Sequence, residues 1–136
     1  MDEMPDSPRE RLTHLRNELL RLHKTLLDSE RAAYERDVAR ITSTGQYLNL
    51  VLNDPWFNWL RELSEFIVLI DETLDFDDPP TAADGDGLVA RARTLLQPSE
   101  EGSGFAHRYY DALQRDPAVV LGHRDMMKVF NGLAGT

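Results

Sequence analysis

Leu12, Leu15, Leu19, Leu22 and Leu26 recur at alternating spacings of three and four residues. Side chains spaced in this way share one face of an α-helix, and a strand with its two-residue period cannot gather them on one side. The seam therefore commits the first part of the chain to a helix that must find an apolar partner. Its start is written locally: Ser7 suits the N-cap, Pro8 the first helical position and Glu10 the third. After Leu26 the pattern slides through Leu27, Tyr34, Val38, Ile41, Leu48 and Leu52 onto a rotated face. These residues predict a long helix over 8–52, bent or broken at Gly45.

Asp54-Pro55 pairs a capping carboxylate with a residue suited to the first helical turn, and predicts a second helix that runs to about Asp75. Measured from Leu63, the side chains of Trp56, Trp59, Leu60, Phe66, Ile67, Ile70 and Leu74 fall within roughly 60° on a helical wheel. A short Asn53-Asp54 turn predicts an antiparallel hairpin with the first helix. Phe57 and Val68 fall on one flank of the stripe and Leu69 on the other, so this helix is either central in a bundle or shared with another chain.

Paired prolines and glycines mark residues 76–84 as an acidic, turn-rich linker. Three shorter helices are predicted beyond it, over about 85–97, 103–115 and 117–131, the last opened by a second Asp-Pro pair at Asp116-Pro117. The expectation is an all-α helical bundle, built from a long N-terminal antiparallel helix hairpin and three shorter helices. A chain of 136 residues suits a single domain, 1–136, with residues 1–7 frayed.

Charge narrows the function classes. The net charge is −9, and residues 45–87 carry one arginine, Arg61, against ten acidic side chains. Such a surface repels phosphate backbones and anionic lipid, which argues against nucleic-acid and membrane partners. There is no cysteine, the start of the chain has no apolar signal-like run, and the longest apolar run, Phe66 to Ile70, is too short to cross a bilayer. A cytoplasmic location is expected. Asp71, Glu72, Asp75, Asp77 and Asp78 crowd a helix C-terminus, where negative charge is unfavourable, so cations should face them. In the hairpin register Asp71 would lie level with Arg36 and Asp75 with Arg31.

Three candidate sites emerge. The first is an interaction surface made of Phe57, Val68, Leu69, Glu72 and Asp75. The second is a metal cluster: His23, Glu30 and Asp37 follow the edge of the seam at seven-residue spacing, and the hairpin brings Asp71 towards them. The third is a small-ligand pocket lined by Trp59, His107, Tyr109 and His123. Phosphate-binding glycine loops, nucleophile elbows, paired metal-binding helix motifs and a calcium-loop register are all missing from the sequence.

The segments "RLHKTLLDSERAAYE", "LVLNDPWFNWLRELSEFIVLIDETLD" and "ALQRDPAVVLGH" resemble, in this order, a family of small uncharacterised bacterial proteins, from about residue 9 to residue 130. The resemblance contains no catalytic motif, and implies a bacterial, cytoplasmic, helical protein without supplying an activity. The residues themselves favour a non-enzymatic helical interaction or scaffold protein. It would self-associate as a homodimer through its first two helices, or offer its acidic end to a basic protein partner. No cofactor is expected under that reading. A transition metal in the His23, Glu30, Asp37 and Asp71 cluster is the alternative.

Overall fold

Ser7 caps the first helix as its spacing predicts. Its hydroxyl accepts the Glu10 amide while the Glu10 carboxylate accepts the Ser7 amide, and Pro8 occupies the first turn. The computed structural model describes residues 7–133, so the frayed start expected over 1–7 lies outside the described residues up to position 6. All regular structure among the described residues is helical. It comprises α1 (Pro8–Asp37), α2 (Thr44–Asn53), a 3-10 turn (Asn58–Leu60), α3 (Arg61–Asp75), α4 (Ala82–Leu95), α5 (Gly104–Arg115) and α6 (Pro117–Leu133).

The all-α expectation holds, but the long helix is shorter than its leucine pattern predicts. It ends at Asp37 rather than continuing to residue 52, and Gly45 sits inside α2. The reason is the loss of apolar periodicity: Glu35, Arg36, Asp37 and Arg40 interrupt the pattern past Tyr34 and leave no continuous apolar face for the helix to bury. The chain turns there, with the Val38 and Ala39 amides both donating to the Tyr34 carbonyl. Ile41 then dips into the protein, its amide held by the Glu35 carboxylate at 3.0 Å.

The central helix is α1, on which α3, α4, α5 and α6 all pack. Leu12, Leu15, Leu19, Leu22 and Leu26 are sealed from solvent in one core with Leu63, Ile67 and Ile70 of α3, Leu88 and Ala92 of α4, Tyr109 of α5 and Met126 of α6. Each fully buried leucine contributes about 1.5–3 kcal/mol of burial free energy, so the seam is a large source of stability. Its fullest partner is α6, which runs antiparallel along it. Arg11 donates to the Leu133 carbonyl, a methyl on Gly122 would meet Leu22 Cδ1 at 3.3 Å, and Arg115 reaches Glu30.

The pairing of the first and last described helices is thus more extensive than that of α1 with α3, the two helices expected to form the hairpin. Helix α3 is antiparallel to α1 as well, but in a different register. Arg9 donates to the Leu74 carbonyl and Arg16 to Asp71, where the hairpin put Arg36 opposite Asp71 and Arg31 opposite Asp75. The displacement accompanies the early end of α1 at Asp37 and the late start of α3 at Arg61, with residues 38–60 forming α2 and turns instead of continuing either helix.

Two further boundaries differ. Asp54 holds the Trp56 amide at 2.8 Å, yet a turn and a 3-10 segment follow and α3 starts only at Arg61. Part of the presumed linker is helical: Thr81 and Asp84 form a second capping box, and α4 begins at Ala82. The two glycines of α4 cost roughly 1 kcal/mol each in helix propensity, which Leu88, Val89 and Ala92 offset by burial.

Candidate functional site

The metal candidates are each placed beside something else. Glu30 is 1% exposed, and its Oε2 accepts from Arg115 at 2.9 Å, with Ser29 accepting from the same guanidinium nitrogen at 2.8 Å. Asp71 pairs with Arg16 at 2.8 Å, and Asp37 with its neighbour Arg36 at 3.3 Å. His23 is half-buried, and burial lowers its pKa, which keeps the imidazole neutral. Among the described residues no group of three or more histidine and carboxylate side chains is arranged to hold a metal ion. The seven-residue spacing is real, but the arginines of α1 and α5 divide the cluster.

The ligand-pocket candidates are partly brought together. Trp59 packs on Phe105 with ring centres 5.1 Å apart, Phe105 on Tyr109 at 5.6 Å, and Tyr109 on His123 at 5.5 Å. Phe105, a buried residue of α5, links them. Tyr109 Oη and His123 Nδ1 lie 2.6 Å apart, with the hydroxyl donating in the Nε2–H tautomer. Burial raises the Tyr109 pKa and lowers that of His123, so both groups are held neutral. His123 also lines a surface cavity with Arg93, Leu96, Met127 and Phe130, which neither Trp59 nor Tyr109 reaches. His107 stands apart. Its ring contacts the Glu100 carbonyl at 3.0 Å and Asp111 at 3.4 Å.

The proposed interaction surface needs one correction. Phe57 is 1% exposed, packed against Tyr34 and Tyr47 with ring centres 5.8 and 6.1 Å away. The helical-wheel angle that put it on a flank assumed an α-helix through residue 57, where the chain forms a turn. For the same reason Trp56 and Trp59, expected in the stripe, are only half-buried. Val68, Glu72 and Asp75 are exposed and Leu69 is half-buried. Asp71 gains Arg16, while among the described residues Glu72, Asp75, Asp77 and Asp78 have no ion pair.

The surface least visible in the sequence pattern is α2. It forms because both ends are fixed: Ser43 caps the Gln46 amide at 3.1 Å, Gln46 holds the Thr42 amide at 2.8 Å, and Arg61 donates to the Leu52 carbonyl at 3.0 Å. Tyr47 turns inward beneath the Arg31 guanidinium, 4.5 Å above its ring, and towards Phe57. Leu48 and Leu52, one turn apart on the other face, are each 57% exposed, and no residue of α2 is buried. Residues 41–53 contain no charged side chain, the longest such stretch in the chain. That run was the available signal. Leu48 and Leu52 also continue the spacing of the α1 seam, which masks it.

Comparison with protein-family models, with curated proteins and with solved structures finds no match in any of the three.

Proposed function

We propose that this chain is a non-enzymatic helical interaction protein that self-associates, with α2 as the contact between two copies. The observation that carries the proposal is an ordered helix with no buried residue and no charge, on a chain of net charge −9. Two such chains repel one another across most of their surfaces, and the repulsion is least where no carboxylate is brought against another. The outward face of α2, with Leu48, Asn49, Leu52 and Asn53, meets that condition. It also exposes apolar area that gains from being covered. A two-fold axis through this face would pair each leucine with its counterpart or its neighbour one turn away.

A surface of this size makes a reversible dimer rather than an obligate one. Val38, at the end of α1, adds exposed apolar surface in the same segment of chain. The deeper polar groups support a role in contact rather than in chemistry, since Glu30, Asp71 and His123 are each engaged by Arg115, Arg16 and Tyr109.

Sedimentation of the wild-type chain and of the Leu48→Gln/Leu52→Gln double variant tests the reading. Glutamine keeps helix propensity and net charge while removing the apolar face. The expected result is a concentration-dependent dimer that the double variant loses with its circular dichroism unchanged. A wild-type chain that stays monomeric at high micromolar concentration, or a dimer indifferent to both substitutions, overturns it.

A further inference from the structure

We infer that the cleft between α3 and α4 is a second, heterotypic docking groove, whose occupant is a cationic amphipathic helix of another protein. This goes beyond self-association, because it uses a different face and a partner of opposite charge.

The helices α3 and α4 both rest on α1, and they splay apart on the outside. One cleft, of about 490 Å3, has Phe66 and Leu69 of α3 and Leu95 of α4 in its floor. A second, of about 480 Å3, lies further along α3 and includes Thr73, Phe76 and Pro79. Phe66, Leu69 and Thr73 follow one another at spacings of three and four residues on one face of α3, and Phe76 is its C-cap, so the two clefts succeed one another along that helix. From Glu62 to Phe76 that face is roughly 20 Å long at 1.5 Å per residue, enough for about four turns of a partner helix.

Charge selects the occupant. Glu62 and Glu65 border the first cleft, and Glu72 and Asp78 the second. Among the described residues none of these four is in an ion pair. A fifth carboxylate, Asp84, is occupied in capping the Thr81 amide. The one cation in the lining is Arg91, which lies over the Phe66 ring at 5.5 Å. The last turn of α3 contains no basic residue, so its carbonyl end adds to the negative potential, met among the described residues by Arg9 at the Leu74 carbonyl. An apolar floor between unpaired carboxylates is complementary to a helix with an apolar stripe flanked by lysine or arginine. A second copy of this chain is a poor fit, because the groove would face its own excess of carboxylates.

The probe is a dye-labelled amphipathic peptide of leucine and lysine at helical spacing, with a shuffled peptide of the same composition as control, read by fluorescence anisotropy. The wild-type chain should bind the ordered peptide, with affinity falling as salt is raised, and the shuffled peptide about tenfold more weakly. Glu65→Lys/Glu72→Lys should weaken binding by about tenfold or more, while the equal charge change Glu100→Lys/Glu101→Lys, away from the groove, should alter it less than about threefold. Glu65→Gln/Glu72→Gln should give a smaller loss in the same direction. Retained binding by the Leu48→Gln/Leu52→Gln chain would show that the groove acts independently of α2. Equal affinity for the shuffled peptide, or equal losses in the groove and control variants, reduces the effect to bulk charge and overturns the proposal. A groove variant that changes sedimentation of the protein alone reassigns the face to a second copy, and overturns it as well.

Discussion

Arg115, the last residue of α5, donates to Glu30 in the C-terminal third of α1 at 2.9 Å. The carboxylate is buried, its Oε1 has no partner, and Arg115 is the only cation that touches it among the described residues. Removing the arginine leaves a charge in the interior with nothing to balance it. Arg115→Ala should cost about 2–4 kcal/mol of unfolding free energy, somewhat below a fully buried pair because the guanidinium is partly solvated. Glu30→Gln keeps the shape without the charge and should cost less, about 1 kcal/mol. Urea denaturation of the two variants checks the order.

Phe57 closes the angle where α1, α2 and the 3-10 turn meet, between Tyr34 and Tyr47. Truncation to alanine removes a ring from a site that is shut to solvent, so transfer and cavity terms add. The expected loss is about 3–4 kcal/mol, against less than about 0.5 kcal/mol for Val68→Ala on the exposed side of α3. Similar losses at the two positions would restore Phe57 to the surface.

Gly45 and Gly87 lie in helical backbone with negative φ, and a methyl at either position meets nothing within 4 Å. Alanine is the better helix former and lowers the entropy of the unfolded chain. Each substitution should raise stability by about 0.4–1 kcal/mol, measurable as a higher urea midpoint with an unchanged slope. Gly122→Val, against Leu22, should instead destabilise by about 1–3 kcal/mol.

His23 and His123 both have pKa values pushed down by burial. Above the ordinary imidazole value of about 6.5 the folded and unfolded chains are equally deprotonated at these positions, and their contribution to stability is complete. As pH falls below that value the unfolded chain takes up protons first, so stability is lost progressively until the folded pKa is passed. The slope is at most about 1.4 kcal/mol per pH unit for each histidine. Unfolding measured at pH values on either side of 6.5 should show the loss, and His123→Gln should flatten it. A rise in stability on acidification through this window would contradict the assignment.

The features legible in the sequence were those set by neighbours in the chain. The Ser7 capping box, the start at Asp116-Pro117 and the burial of Leu12 through Leu26 each depend on residues within a turn or on a strict period. What could not be read was register. A helical wheel assigns angles only while the helix continues, and the turn at 55–57 invalidated those of Trp56 and Phe57. The same Asp-Pro pair opens a helix directly at Pro117 and delays it to Arg61 in the other case. Near Phe57 the aromatic contacts with Tyr34 and Tyr47 outweigh the local signal. Arg16 and Arg115 were placed against Asp71 and Glu30 by packing between distant segments, which no spacing rule expresses. The metal cluster read from His23, Glu30, Asp37 and Asp71 rested on that missing information.

The antiparallel union of α1 with α6 has a bearing on synthesis. Contacts such as Arg11 with the Leu133 carbonyl join positions 122 residues apart. The leucine ladder is synthesised before any of the helices that cover it; α3 and α4 can pack on it first, but the α6 side stays uncovered until the last described residues have been translated. Throughout that interval part of the oily strip lies open, so a nascent chain of this kind is exposed to aggregation for longer than its helical content suggests.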